Sequence, residues 1–195
     1  MSLFSIPCSG GGIFLDRDGV INEEVDLLSR PEQLRLLAGA AEAIRLFNQA
    51  GRRVIVVTNQ SVVARGLATP RQVVAVHRRL RALLAQSNAR LDAVYFCPYH
   101  EAADLLHYRR RSENRKPGIG MLLKGARRFG LCLEASWMIG DQTCDIEAGR
   151  RAGCRTVLLH TGYAGRDRAC AAQPHYRCAN LLEAAHLILQ LESLP

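Results

Sequence analysis

The sequence predicts an α/β fold, a doubly wound parallel sheet with helices on both faces and no separate cap domain. Three observations carry that prediction. Short apolar runs alternate with amphipathic helical patterns along the chain. The runs are apolar at nearly every position rather than every second one, as strands buried on both faces must be. Polar residues collect just past the carboxyl ends of those runs, where sheets of this kind bind ligands.

Gly12-Ile13-Phe14-Leu15 is the first such run and ends at Asp16. Ala40, Ala43, Ile44 and Phe47 then recur at helical spacing, and Gly51 stands where a glycine terminates a helix. Val54-Ile55-Val56-Val57 is a second strand, β-branched throughout. Thr69 and Pro70 suit the N-cap and first turn of a helix with Val73, Val76, Leu80 and Leu83 on one stripe. Ala93-Val94-Tyr95-Phe96 reads as a third strand, and Gly118 to Phe129 as a helix stopped by Gly130. Trp137-Met138-Ile139 is a fourth strand, running into Gly140-Asp141 and a short helix to Gly153. Thr156-Val157-Leu158-Leu159 is the fifth, and a helix from Leu181 to Leu191, capped by Asn180, closes the pattern. The arrangement is Rossmann-like.

At 195 residues the chain suits a single domain over 1–195, large enough to bury a core without structural disulfides or metal. No apolar run approaches the ~18 residues of a membrane span. Met1 to Cys8 lacks the basic start and the apolar length of a secretory leader, so the expected location is cytoplasmic. The seven cysteines are odd in number and irregularly spaced, unlike a disulfide framework. The net charge of +8 comes almost wholly from arginine, since Lys116 and Lys124 are the only lysines among 26 basic residues. The arginines are scattered over polar helix faces, and the densest run, Arg109-Arg110-Arg111, has only Tyr108 as an aromatic neighbour. Nucleic acid is therefore not the expected partner. A monomer is the working expectation.

Four short motifs carry the chemistry. Asp16-Arg17-Asp18-Gly19 places two carboxylates at the mouth of the sheet. Thr58-Asn59-Gln60-Ser61 offers hydroxyl and amide groups to phosphoryl oxygens at the end of the second strand. Arg115-Lys116-Pro117-Gly118 puts cations at the start of a helix, and Gly140-Asp141 with Asp145 forms an acidic strand end. Each alone is also ordinary turn or cap chemistry. In this order, each at a strand's carboxyl end or a helix start, they resemble the four motifs of the haloacid dehalogenase superfamily of phosphohydrolases. The resemblance spans about Ile13 to Gly162. Phe14 to Asn22, Val57 to Ser61 with the following Ala64-Arg65-Gly66, and Arg115-Lys116-Pro117 look like the D-glycero-D-manno-heptose 1,7-bisphosphate 7-phosphatases. Histidinol-phosphatases are near relatives with a similar Arg-Lys-Pro.

A phosphate monoester dianion repels an anionic nucleophile, so charge must be neutralised first; a divalent cation on hard oxygen ligands, Mg2+ by choice, does this. The resemblance implies that the Asp16 and Asp141 carboxylates and the Asp18 backbone carbonyl hold it. It implies further that Asp16 attacks phosphorus to form an aspartyl-phosphate, and that Asp18 protonates the leaving oxygen and then deprotonates water. Thr58, Asn59 and Lys116, within the binding set that includes Gln60 and Ser61, would hold phosphoryl oxygens, with Arg115 meeting the rest of the substrate. Asp145 would orient Lys116 or the metal waters.

The sequence departs from these relatives in two loops. Their zinc loop, Cys-x-His then Cys-x-Cys, matches Cys97, Tyr99, Ser112 and Asn114 here, so one of four ligands survives and zinc is not expected. The flap Glu23 to Leu28 lacks their Asp-x-Gly-Tyr-like stretch. Both changes fall on leaving-group recognition. The activity the resemblance implies is a Mg2+-dependent phosphomonoester hydrolase, with removal of the 7-phosphate of D-glycero-D-manno-heptose 1,7-bisphosphate the expected reaction and another small sugar phosphate an alternative, serving lipopolysaccharide or related glycan precursors. Histidinol phosphate is the alternative substrate; a nucleic-acid-end phosphatase or binding module, prompted by the charge, is the alternative of another class.

Overall fold

The computed structural model describes residues 10–193; Met1 to Cys8, read above for a leader, lies outside them. Six strands form one all-parallel sheet: β1 (Ile13–Leu15), β2 (Val54–Asn59), β3 (Ala93–Cys97), β4 (Trp137–Gly140), β5 (Arg155–Leu159) and β6 (Tyr176–Cys178). Their spatial order is β3-β2-β1-β4-β5-β6. The order reverses at β1, so the crevice for a ligand opens between the carboxyl ends of β1 and β4.

The helices are α1 (Ala40–Gln49), α2 (Ser61–Ala64), α3 (Pro70–Ala85), α4 (Gly120–Phe129), α5 (Thr143–Arg151) and α6 (Leu181–Ser193). Alternate strand residues face opposite layers. Ile13, Leu15, Val54, Val56, Trp137 and Ile139 pack with apolar residues of α1, α3 and α6, while Phe14, Ile55, Val57 and Met138 pack with those of α4 and α5. The sheet is therefore covered on both faces, as its unbroken apolar runs require.

Local signals set the boundaries. Thr69 caps α3 in a reciprocal box with Gln72, Pro70 occupies the first turn, and Gly130 ends α4 in the left-handed region. Asn180 caps α6 by accepting the Glu183 N–H at 3.0 Å. On α3 the stripe runs through Val73, Val76, Leu80 and the fully buried Leu84, with the expected Leu83 half-buried against the same core. Two elements exceed the expectation: the edge strand β6 and the single-turn α2. Near its end α6 presents Glu192, which accepts the Trp137 indole N–H at 2.9 Å and pairs with Arg52 at 3.0 Å. Cys97, Cys154 and Cys178 are buried free thiols, and Cys144 and Cys170 are free as well, in line with cysteines that do not build a disulfide framework. Among the described residues no helix is long and apolar enough to cross a membrane.

Candidate active site

The strands deliver the predicted residues to one place. Asp16 follows β1, and its N–H donates to the Ile139 carbonyl at 3.0 Å, tying the β1 exit to β4. Asp141 follows β4 directly, Thr58 and Asn59 end β2, and Arg115-Lys116 precede α4 across a cis Lys116–Pro117 bond. Asp16, Asp18, Asn59, Gln60, Ser61, Arg115 and Lys116 line a cleft of about 450 Å3. A more open groove of about 820 Å3 lies at the opposite, amino ends of β2 and β3, lined by Arg45, Arg81 and Arg90, and has no carboxylate on its walls.

Lys116 organises the floor. Its ammonium, almost fully buried, lies 2.9 Å from Oδ1 of Asp16 and 2.7 Å from Oδ1 of Asp145. The two carboxylates outweigh the desolvation of the ammonium and push its pKa above the ordinary lysine value. Oδ1 of Asp16 also accepts the Arg17 N–H at 2.7 Å. Asp145 accepts the Gln142 N–H at 3.1 Å through Oδ2, completing the N-terminal box of α5.

Asp16, Asp141 and Asp145 each bring a carboxylate oxygen within 4.8 Å of the others, and all three are buried. Three carboxylates share one ammonium. Burial, followed by the charges of Asp145 and Asp16, pushes Asp141 up to about 9. Burial likewise raises Asp145, to about 6, against the pull of Lys116. Oδ2 of Asp141 accepts the Tyr163 N–H at 2.7 Å, whereas Oδ1 is buried without a hydrogen-bond partner among the described residues. A hard-oxygen cluster with surplus negative charge and an orphaned oxygen fits a divalent cation of the Mg2+ kind. Asp145 is spent on Lys116 and Gln142, so Asp16 and Asp141 are the carboxylates with capacity to spare. Two glycines make the cluster possible: a Cβ on Gly19 would stand 2.3 Å, and one on Gly162 2.2 Å, from Oδ2 of Asp141, and both have positive φ.

Asp18 is held differently. Oδ1 accepts from Arg17 Nε (3.0 Å), Arg17 Nη2 (2.8 Å) and Asn22 Nδ2 (2.9 Å); Oδ2 accepts from Arg17 Nη2 (2.7 Å) and Gln60 Nε2 (2.9 Å). Burial would raise its pKa, but the Arg17 guanidinium and these hydrogen bonds prevail and lower it. Arg17, Asn22 and the role of Gln60 toward Asp18 escape the sequence reading; the position of Arg17 between the two aspartates is the one signal that could have drawn notice.

The second motif divides its work. Thr58 is buried and its hydroxyl accepts from Gln60 at 3.0 Å. The Asn59 amide is occupied by the Lys116 backbone, accepting its N–H at 3.0 Å and donating to its carbonyl at 3.1 Å, so it ties β2 to the lysine. Ser61 opens α2 on the cleft wall. Arg115 faces the cleft while one guanidinium nitrogen donates to the Tyr99 carbonyl at 3.2 Å. Across the cleft the flap contributes Glu24 and Asp26, and burial together with the charge of Asp18 raises Glu24 to about 7.

The loop from Tyr99 to Asn114 is braced by protein contacts. The Arg110 guanidinium lies 3.7 Å from the Tyr99 ring centre, Arg109 Nε donates to the Ala103 carbonyl at 2.8 Å, and the Leu105 N–H donates to the Ala64 carbonyl at 3.1 Å.

Comparison with known proteins agrees with this geometry. Residues 113–184 match the HAD-hydrolase-like family model. The chain is 41% identical over 184 residues to a D-glycero-D-manno-heptose-1,7-bisphosphate 7-phosphatase of Thermosynechococcus vestitus, covering 90% of this chain and 94% of the relative. It is 45% identical over 140 residues to a D-glycero-beta-D-manno-heptose-1,7-bisphosphate 7-phosphatase of Rhodopseudomonas palustris, covering 72% and 78%. Among solved structures, D,D-heptose 1,7-bisphosphate phosphatase from B. bronchiseptica, complexed with magnesium and phosphate, superposes with a TM-score of 0.82 at 32% identity, covering 93% of this chain and 99% of that one.

Proposed function

The chain belongs to the haloacid-dehalogenase-like hydrolases and is a phosphatase, and from that premise we propose that it removes the 7-phosphate of D-glycero-D-manno-heptose 1,7-bisphosphate through an aspartyl-phosphate on Asp16. The observation that carries this reading is the Asp16 carboxylate clamped by Lys116 at 2.9 Å beside the Asp16–Asp141–Asp145 cluster, at the reversal point of the sheet.

Asp16, Asp141 and the Asp18 carbonyl would hold Mg2+, which when bound would supply positive charge to offset the phosphoryl oxygens. Asp16 attacks phosphorus as the bond to the sugar oxygen breaks, and that oxygen takes a proton from Asp18, which must enter this step protonated although Arg17 holds its carboxyl below the ordinary range in the free protein. Water then attacks the acyl-phosphate, Asp18 takes its proton, and the Asp16 carboxylate is restored as phosphate leaves. Lys116 keeps its proton throughout, since two carboxylates hold it charged, and stabilises the developing oxyanion. Thr58, Asn59, Gln60 and Ser61 shape the phosphate end of the cleft, and Arg115 meets the leaving group.

Zinc has no part in this reading: of the four ligand positions only Cys97, at the end of β3, carries a zinc-binding side chain, and the 99–114 loop is braced by Arg109, Arg110 and Leu105. The chain acts as one cytoplasmic domain on a small phosphorylated sugar. Phosphate release from both anomers of the heptose bisphosphate and from histidinol phosphate, with Mg2+ and with a chelator, tests the proposal. Mg2+-dependent turnover of one heptose anomer well above histidinol phosphate is expected. Preference for histidinol phosphate, or turnover that survives Asp16→Asn, overturns it.

A further inference from the structure

Arg17 is fully buried beside the nucleophile, and its guanidinium has partners on two sides. Nε and Nη2 grip Asp18 with three contacts of 2.7–3.0 Å. On the other side Nη1 lies 3.1 Å from Nε2 of His77, a buried residue in the middle of α3. Arginine only donates, so the imidazole accepts, through an unprotonated Nε2. The His77 ring packs edge-on to Phe96, with centroids 5.6 Å apart, which fixes the plane in which that acceptor is offered.

We propose that His77 is a positioning residue for the proton-transferring carboxylate of Asp18, acting through Arg17. The inference rests on the phosphatase reading and on the role given there to Asp18. Its physical basis is a requirement for a neutral acceptor at this place. A buried guanidinium N–H left without an acceptor is costly, so an aliphatic residue at 77 would release or tilt Arg17. A carboxylate there would compete with Asp18 for the same cation. A neutral imidazole satisfies Nη1 and leaves the whole positive charge to Asp18. Burial and the neighbouring Arg17 hold His77 down to about 3, so it stays a neutral acceptor throughout the range in which the protein works. Helix α3 thereby sets the plane of the guanidinium, and the guanidinium sets the carboxylate.

A positioning role predicts damage that depends on the leaving group. A sugar or benzyl oxygen needs a proton as it departs, whereas p-nitrophenolate leaves as a stable anion and does not. The test compares His77→Leu and His77→Gln with wild type on the heptose bisphosphate, benzyl phosphate and p-nitrophenyl phosphate. His77→Leu is expected to lower kcat/KM, which reports formation of the aspartyl-phosphate and not its hydrolysis, by about tenfold or more on the first two and to spare that of p-nitrophenyl phosphate within about threefold. His77→Gln, whose Oε1 is a neutral acceptor, is expected to recover most of the lost rate. If His77→Leu does not fold, His77→Met provides the same contrast. Equal losses of kcat/KM on all three esters, or no recovery with Gln, would show that His77 only fills space and overturn the inference. Failure of the underlying phosphatase reading looks different: wild type inert on every ester, or unaffected by Asp16→Asn.

Discussion

Oδ1 of Asp16 lies 2.9 Å from the ammonium of Lys116. The nucleophile thus shares its cation with Asp145, 2.7 Å away on the other side, and nearly every consequence of altering the site passes through that shared charge.

Asp16→Asn should remove the nucleophile and relieve repulsion within the carboxylate cluster. Phosphate release should fall by at least ~10³-fold while the protein stays folded. Steady-state assays beside circular dichroism read both, and a variant retaining a tenth of the activity would refute the assignment.

Lys116→Met leaves Asp16 and Asp145 buried without their counter-charge. A loss of ~3–5 kcal/mol in stability is expected, the cost of breaking a buried pair from one side. Denaturant unfolding measures it. The double variant Lys116→Met/Asp145→Asn should lose less than the two single effects combined, because it also removes one orphaned charge.

Stability should depend on pH in a way that Mg2+ reverses. Asp141 and Asp145 both have pKa values raised by folding, to about 9 and about 6. A raised carboxyl pKa contributes stability below the ordinary value near ~4 and loses it as pH climbs to the folded value. His77, held down to about 3 in the fold, gains stability as pH rises towards its ordinary value near ~6.5 and opposes the two aspartates there. In chelator, Tm should therefore decline most clearly above that value towards pH 9, with Glu24 adding to the fall up to about 7. Asp18 is shifted the other way and acts only in more acid solution. Saturating Mg2+ should raise Tm most at the alkaline end, and a Tm that rises in chelator between the ordinary histidine value near ~6.5 and pH 9 would contradict the account.

Gly19→Ala brings a Cβ to 2.3 Å from Oδ2 of Asp141 at a backbone φ of +72°. Asp141 has to move, so the Mg2+ concentration for half-maximal rate should rise by about tenfold, a loss near ~1.4 kcal/mol in metal binding. A metal titration of the rate decides this.

Much of the architecture was legible because strands buried on both faces leave unbroken apolar runs, as at Val54 to Val57, and because Thr69-Pro70 and Gly130 mark helix ends by local chemistry alone. β6 escaped because Tyr176-Arg177-Cys178 is three residues long, lies at an edge and carries an exposed arginine at its centre. In the site, the aspartates and Lys116 were legible from their spacing after strands. Arg17 was not, since a lone arginine in a turn reads as a solvated residue. Its partner His77 stands 60 positions further on, and Asn22 and Gln60, which share its hold on Asp18, stand 5 and 43 positions beyond it, so only the packed fold brings them together. Asn59 was recognised as a site residue, but its side chain serves the lysine backbone, a duty that depends on where the Lys116 turn passes.

The pairing of Leu15 with Ile139 bridges 124 positions of chain. A ribosome adding ~5–20 residues per second needs roughly 6–25 s to make that span. For that time β1 can pair with β2 on one side only, and its other edge is an apolar ribbon open to wrong partners. Asp16 also waits for Asp141, so a nascent chain can neither gather the cation cluster nor hydrolyse an ester until β4 has docked. For this topology, activity cannot precede the docking of β4, however early β1 and β2 pair.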